Sequence, residues 1–137
     1  MKKRSDFYGV EFDWFASDAD GFIALMSSAG YGPIPDSVFE RLEEQARIEA
    51  RLSSLIGSRM MTDDWDRMVW QLSASGVFVY DWKHWDGPYQ RLGIPPYPQR
   101  FDDLGFSPEL RDALVVVPER FCTSVELRPD LLLPCTS

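Results

Sequence analysis

The segment from Val10 to Ser28 constrains the fold more than any other, because its pattern is that of two strands joined by a tight turn. In its first half, apolar residues take every second position, namely Val10, Phe12, Trp14 and Ala16. Residues 18–21 then supply turn formers, including Gly21 for a backbone with positive φ. The return from Phe22 to Ser28 is apolar at successive positions, which is typical of a strand inside a sheet. We therefore predict a β-hairpin whose second strand is internal.

Two amphipathic helices are predicted after the hairpin and a loop rich in glycine and proline. The first covers residues 37–56, opens with an S-x-x-E capping box, carries an apolar stripe and is closed by Gly57. The second begins after Thr62 or Asp63, where aspartates suit the positive end of the helix dipole, and stops before Gly76. Its apolar residues follow helical spacing at Trp65, Met68, Val69 and Leu72. Each helix thus has one apolar face with which to cover a sheet.

The second half of the chain predicts further strands around one long loop. Residues 77–82 are an apolar and aromatic run typical of a strand, and residues 83–100 form a loop rich in proline, glycine and aromatics. A short helix with proline in its first turn begins at Ser107. Residues 113–117 and 121–127 are the last two predicted strands. A loop of this length is often functional.

The order of these elements is ββααβ, then a loop and ββ, without regular βαβ alternation. It predicts the α+β class, with an antiparallel sheet of about five strands and two main helices packed on one face. At 137 residues the chain fits a single domain over 1–137, with residues 1–5 flexible. No segment has the apolar run of a signal peptide or the length of a transmembrane helix. We therefore predict a cytoplasmic protein without a membrane partner.

The charge of the chain favours a basic partner. The formal net charge is −8, but three of the 14 basic residues are Lys2, Lys3 and Arg4, so residues 5–137 carry 22 acids against 11 bases, a net charge of −11. Residues 5–40 hold seven acids and no lysine or arginine. A negative surface repels the phosphates of nucleic acid and attracts a basic protein. Direct nucleic-acid binding is therefore disfavoured, and solubility alone is the other explanation of the acidity.

The sequence lacks the residues of common catalytic and metal sites. His84 is the only histidine, which removes zinc and paired-histidine centres, and no nucleophile motif accompanies it. Cys122 and Cys135 form no C-x-x-C pair, and we expect two free thiols, with a disulfide between them as the alternative. We predict no cofactor, no metal and no enzymatic activity.

The strongest candidate for a metal site is the predicted hairpin turn. Asp18, Asp20 and Gly21 match three positions of a calcium-binding loop, but the later ligands and the bidentate glutamate are absent. A carboxylate pair or a divalent metal at Asp18 and Asp20 would make the protein a hydrolase. Nothing in the sequence places these carboxylates in an apolar pocket that would shift a pKa. A solvated turn is the simpler interpretation.

Aromatic residues in or beside the 83–100 loop are interleaved with acids, a composition suited to gripping lysine and arginine side chains. They are Trp82, Trp85, Tyr89 and Tyr97, and packing beneath the loop is the structural alternative for them. From this loop and the acidic hairpin we predict a partner-binding surface that contains Asp13, Asp18, Asp20, Asp81, Trp85, Asp86 and Tyr89.

Two segments resemble a known kind of protein. Phe12–Gly21, with the pattern F-D-W-F-A-x-D-x-x-G, and Gly76–Trp82, with G-x-F-x-Y-D-W, resemble small bacterial proteins that look like immunity proteins of polymorphic toxin systems. The likeness spans most of the chain, and its motifs are hairpin and strand signatures with no catalytic role attached. The resemblance implies a cytoplasmic binder that blocks a toxin.

Three functional hypotheses follow. The leading one is an immunity protein that inhibits a cognate toxin, a basic enzyme acting on nucleic acid, by covering the toxin's active site. The second is a small-ligand-binding or adaptor module in which the loop 83–100 lines an apolar pocket. The third is the metal-dependent hydrolase at the hairpin turn, which a divalent metal would stabilise against unfolding.

Overall fold

The computed structural model describes residues 12–29, 32–57, 64–84 and 87–127, so the predicted flexibility of residues 1–5 lies outside its scope. The strands are β1 Asp13–Ser17, β2 Ile23–Ser27, β3 Phe78–Trp82, β4 Tyr89–Gly93, β5 Val115–Val116 and β6 Glu126–Leu127. The α-helices are α1 Asp36–Glu40, α2 Leu42–Ile56 and α3 Trp65–Ala74, and 3₁₀ helices cover Phe101–Asp103 and Pro108–Ala113.

The predicted hairpin is confirmed. β1 pairs antiparallel with β2 over five residues, from Asp13 opposite Ser27 to Ser17 opposite Ile23. Gly21 completes the turn with a φ of 85°, a left-handed backbone that glycine adopts without steric strain. β2 lies between β1 and β3 and is buried over four of its five residues, so it is internal as predicted.

The sheet is mixed and six-stranded, so the prediction of an antiparallel sheet of about five strands is wrong in both respects. The strand order is β5-β1-β2-β3-β4-β6, with β2 parallel to β3 and β1 parallel to β5. The three α-helices lie in the connection between β2 and β3 and return the chain to the same end of the sheet. A parallel pair requires a crossover of this kind. The α+β class itself is confirmed.

β4 lies inside the segment 83–100 that we predicted to be a loop. It pairs antiparallel with β3 through a bulge at Val79 and Tyr80, and β6 pairs with its other edge. The segments 113–117 and 121–127 do contain strands, but only as the two-residue edges β5 and β6. Pairing between distant segments therefore gives the sheet its sixth strand.

The first predicted helix is present with two differences. It begins at Asp36, with Pro35 at the N-cap and no side chain bonded to the cap, so the predicted capping box at Ser37 does not form. Arg41, with a φ of −128°, separates α1 from α2. α2 ends at Gly57 in the left-handed conformation, as predicted.

The other predicted helices are confirmed. The Asp64 carboxylate caps α3 by accepting a hydrogen bond from the N–H of Arg67 at 3.0 Å. α3 ends before Gly76, as predicted. Pro108 occupies the first turn of its 3₁₀ helix, where the missing N–H leaves no helical bond unmade.

Apolar side chains fill both faces of the sheet. α2 and α3 cover one face, as predicted, and pack there with strand residues such as Phe15 and Leu25. α1 and the segment 117–127 cover the opposite face, where they pack on Trp14 and Tyr80. The sequence prediction had placed no layer on this second face, which is the more aromatic of the two.

Candidate partner-binding site

Asp18 is a buried structural residue, so its prediction as a partner contact is wrong. Its side chain is 3% exposed. Oδ1 accepts hydrogen bonds from the backbone N–H groups of Asp20 and Phe22, at 3.0 and 2.9 Å. Oδ2 accepts from the N–H of Phe121 at 2.8 Å. The carboxylate thus links the hairpin turn, through Oδ1, to the distant 117–127 segment, through Oδ2. Its engagement in these structural bonds also counts against a hydrolase centre built on it.

Asp20 lies at an open cleft of about 360 Å³ beside the hairpin turn. Arg100 and Arg111 also line the cleft, and Arg120 Nε lies 3.7 Å from Asp20 Oδ1. Arg111 forms an ion pair with Asp102. Later segments of the chain therefore neutralise the hairpin tip, so the strongly negative field predicted for residues 5–40 does not hold at this point.

The two cleft arginines are fixed by the protein itself. The guanidinium of Arg100 lies 4.7 Å from the ring centre of Phe22, and its Nε donates to the Asp20 carbonyl at 2.8 Å. Arg111 lies 4.5 Å from the ring centre of Phe101. A cleft lined by such internally paired charges differs from the apolar, concave pockets that bind small ligands.

Asp13 and Asp81 are brought to the same end of the sheet. The strand register aligns Asp13 with Ser27 on β2, and Ser27 in turn with Asp81 on β3. Both aspartates are half-buried, and each interacts with other groups of the protein. They lie on the two strands that flank β2, at the same level of the sheet, and their role in partner binding stays a prediction.

Tyr89 is a core residue, so its prediction as an exposed contact is wrong. Its side chain is fully buried in the second core. Its hydroxyl accepts a hydrogen bond from Trp14 Nε1 at 3.2 Å and donates one to the Pro33 carbonyl at 3.0 Å. Trp82 packs edge-on against the Tyr89 ring with centroids 5.1 Å apart. The structural alternative therefore applies to both aromatics, whereas Trp85 and Asp86 lie outside the described residues.

Burial of the tyrosine hydroxyls predicts a loss of stability at alkaline pH. Burial raises the pKa of Tyr80 and of Tyr89, and the charges of Asp13 and Asp81 raise that of Tyr89 further. A folded pKa above the unfolded value contributes stability that is complete below about pH 10 and is lost as the pH rises further. We expect the unfolding free energy to fall in this range, and to fall less in Tyr89→Phe.

Urea unfolding at pH 8 and at higher pH measures this effect. Tyr97→Phe, at an exposed tyrosine, is the matched control and should keep the wild-type pH dependence. If Tyr89→Phe loses as much stability as the wild type on raising the pH, the buried hydroxyl of Tyr89 is not the responsible group.

One exposed aromatic side chain lies in the predicted 83–100 segment and a second lies on α3. Of the aromatic residues that the structure describes, only Trp70 and Tyr97 are exposed, with 71% and 81% of their side chains accessible. Tyr97 belongs to the predicted loop, whereas Trp70 was missed. The sequence did contain the information needed to find Trp70, because this residue falls between the apolar positions of α3 and so points away from the core.

Trp70 and Tyr97 lie on elements that are joined to each other. β4 ends at Gly93, where a Cβ would lie 3.2 Å from Val69 Cγ1 and 2.5 Å from Ser73 Oγ on α3. Trp70 is three residues before Ser73 and is therefore its neighbour on the helix surface. Ile94, which is also exposed, follows Gly93 directly. The exposed side of α3 and the start of the 94–98 segment thus lie side by side.

The 94–98 segment is held at both ends. Gly93 packs beneath α3, and the N–H of Gln99 donates to the Gly76 carbonyl at 3.0 Å. Three of its five residues are proline, which restricts the backbone. Tyr97 is therefore presented on a constrained support. We use the name aromatic face for the exposed residues Asp66 and Trp70 of α3 together with Ile94 and Tyr97 of the adjoining segment.

The remaining candidates for chemistry are the single histidine and the two cysteines. His84 and Cys122 are exposed, and Cys135 lies outside the described residues, so its pairing stays a prediction. Within residues 12–29, 32–57, 64–84 and 87–127, no group of three or more His, Cys, Asp or Glu side chains is arranged to hold a metal ion. In the same ranges no helix combines the length and the apolar character needed to cross a membrane.

Comparison with known proteins gives no independent indication of a family. No protein-family model, no curated protein and no solved structure matches this chain.

Proposed function

We propose that this protein acts by binding another protein, and that the aromatic face is its contact surface. The observation that carries the proposal is the exposure of Trp70 and Tyr97 on constrained supports, while every other described aromatic side chain is buried or half-buried. Tryptophan and tyrosine are the residues most enriched at binding hot spots. A rigid support lowers the entropy lost on association and so favours tight binding.

We further propose that the partner is a bacterial toxin with a basic surface and that the chain is its immunity protein. Residues 5–137 carry a net charge of −11, which steers a basic protein toward this chain and keeps nucleic acid away from it. A toxin that acts on nucleic acid needs a basic active-site surface. The resemblance of Phe12–Gly21 and Gly76–Trp82 to immunity proteins supports the same partner. Inhibition then requires only that the bound chain bars the substrate from the active site.

Truncation of either aromatic side chain is expected to abolish protection against the toxin. If a neighbouring gene encodes a secreted protein with a variable C-terminal domain, that domain is the probe, co-expressed in a bacterium whose survival is measured; the lack of any such neighbour would count against a toxin partner. Loss of a hot-spot aromatic weakens a complex by about 2 kcal/mol or more, which is about 30-fold in Kd. We therefore expect Trp70→Ala and Tyr97→Ala to lose protection and to bind the purified domain at least about 30-fold more weakly.

Val116→Ala is the matched control, because it truncates an exposed apolar side chain on β5, at the opposite edge of the sheet from β4. It should protect as the wild type does. All three variants should keep the wild-type melting temperature, since none of the replaced side chains is buried. A wild-type chain that leaves the toxin active, or alanine variants that bind with wild-type affinity, would contradict the proposal. An association rate that is indifferent to salt would remove its electrostatic part.

A further inference from the structure

We infer that the aromatic face recognises an arginine or lysine side chain of the partner, stacked on the ring of Trp70 and paired with the carboxylate of Asp66. This inference rests on the proposed function for the existence of a protein partner, and it adds the chemistry by which that partner is recognised.

Asp66 and Trp70 are neighbours on the exposed surface of α3. They stand four residues apart on the helix, which places their side chains one above the other on one side. Both side chains are exposed, and neither has a hydrogen bond, an ion pair or a ring contact among the residues described. A carboxylate and an indole on the same side of α3 are therefore both presented to solvent.

The same protein contains an internal example of this arrangement. Arg111 lies over the ring of Phe101, 4.5 Å from its centre, and forms an ion pair with the adjacent Asp102. One guanidinium is thus held at once by a ring face and by a carboxylate. Trp70 and Asp66 offer the same two groups, and tryptophan is the aromatic ring that binds cations best.

The two charged neighbours of Trp70 on α3, Asp66 and Arg67, have opposite signs. Arg67 is the basic neighbour of Trp70 on α3, but its guanidinium does not stack on the indole in the described structure. It is a like charge that opposes a partner cation, so its removal should strengthen binding or leave it unchanged. Asp66 has the opposite effect. Removing the charge of Asp66 and removing that of Arg67 should therefore change the affinity for the partner in opposite directions.

Three substitutions separate a cation site from an apolar contact. Asp66→Asn should weaken the complex with the toxin domain about tenfold, because it removes the paired charge and keeps the shape. Trp70→Leu should weaken it although the position stays apolar, whereas Trp70→Phe should keep part of the affinity. Arg67→Ala should not weaken it. If the partner side chain were apolar, Trp70→Leu would largely keep the affinity and Asp66→Asn would not change it.

A second measurement uses the free chain and an oligo-arginine peptide. The indole N–H signal of Trp70 in a ¹⁵N spectrum is assigned by its disappearance in Trp70→Phe. We expect the peptide to shift this signal more than those of the other tryptophans, and oligo-glutamate to leave it unmoved. Asp66→Asn should weaken the response about tenfold. Glu43→Gln, which removes an exposed carboxylate from α2, should preserve it.

The outcomes separate the inference from the proposed function. Suppose that the wild type does not bind the toxin domain, but the Trp70 signal shifts with oligo-arginine and the shift depends on Asp66. The proposed function is then contradicted and the cation site is supported. If toxin binding requires Trp70 yet survives both Asp66→Asn and Trp70→Leu, the function stands and the cation site is overturned. An equal loss in Asp66→Asn and Glu43→Gln would also overturn it, since net charge alone would then explain the binding.

Discussion

Asp18→Asn is expected to lower the free energy of unfolding by about 3 kcal/mol. The carboxylate is buried and accepts three backbone hydrogen bonds, from Asp20, Phe22 and Phe121. Asparagine has the same shape, but its amide nitrogen donates hydrogen bonds and would face a backbone N–H that also donates. At least one of the hydrogen bonds that the carboxylate accepts would thus be replaced by a repulsive contact between two N–H donors. Urea unfolding at neutral pH measures the difference.

Asp20→Asn is the control for this substitution, since it makes the same chemical change two residues away on a more exposed side chain. Its ion pair with Arg120 spans 3.7 Å, and the two side chains are 31% and 66% exposed, so the expected loss is below about 1 kcal/mol. Equal effects of the two substitutions would show that charge at the turn matters and the buried hydrogen bonds do not.

Gln45→Met is the second substitution for which we expect a large loss, again about 3 kcal/mol. Gln45 is a buried residue of α2 whose Oε1 accepts from the N–H of Phe15 at 2.9 Å. Its Nε2 donates to the carbonyls of Phe15 and Ala113, at 3.3 and 2.8 Å. The amide thus bonds the edge of β1 at Phe15, just before the two positions that β5 covers. Methionine keeps the volume and leaves these backbone groups buried without a partner.

Arg47→Met on the same helix provides the comparison. It removes an exposed ion pair with Glu109, and such surface pairs contribute little to stability because water screens them. Thermal unfolding followed by circular dichroism would rank the two variants. A Gln45→Met protein as stable as Arg47→Met would mean that water or a shifted backbone satisfies the β1 edge.

Local signals were enough to predict the elements that depend on local chemistry. The hairpin turn follows from Gly21 and its neighbours, the end of α2 from Gly57, and the start of α3 from its aspartates. Each of these residues acts on a backbone group within a few positions of itself. The capping box failed because Pro35 already fixes the backbone at the helix start.

The sheet topology could not be predicted in the same way, because it depends on contacts between distant residues. β4 contains Gln90 and Arg91 in succession and shows no strict alternation, so nothing local distinguishes it from a loop. It becomes a strand because β3 and β6 offer it hydrogen-bonding edges. The parallel pairing of β2 and β3 likewise depends on how the helices pack.

The residues of the candidate site were likewise predictable only where their environment depends on nearby positions in the chain. Asp18 has the sequence context of a solvated turn, and its burial depends on Phe121, which is far along the chain. Tyr89 was assigned to the surface because its partners Trp14 and Pro33 come from other elements. Trp70 is the opposite case, since the helical pattern of α3 alone places it outside the core.

The bond between Asp18 and Phe121 also has a consequence for folding during synthesis, because its two partners are far apart in the chain. β1 gains its second neighbour only from β5, and the hairpin turn gains its last hydrogen bond only from residue 121. The N-terminal hairpin therefore leaves the ribosome long before the segment that completes it. Until that segment emerges, we expect the more aromatic face of the early sheet to stay partly uncovered and prone to aggregation.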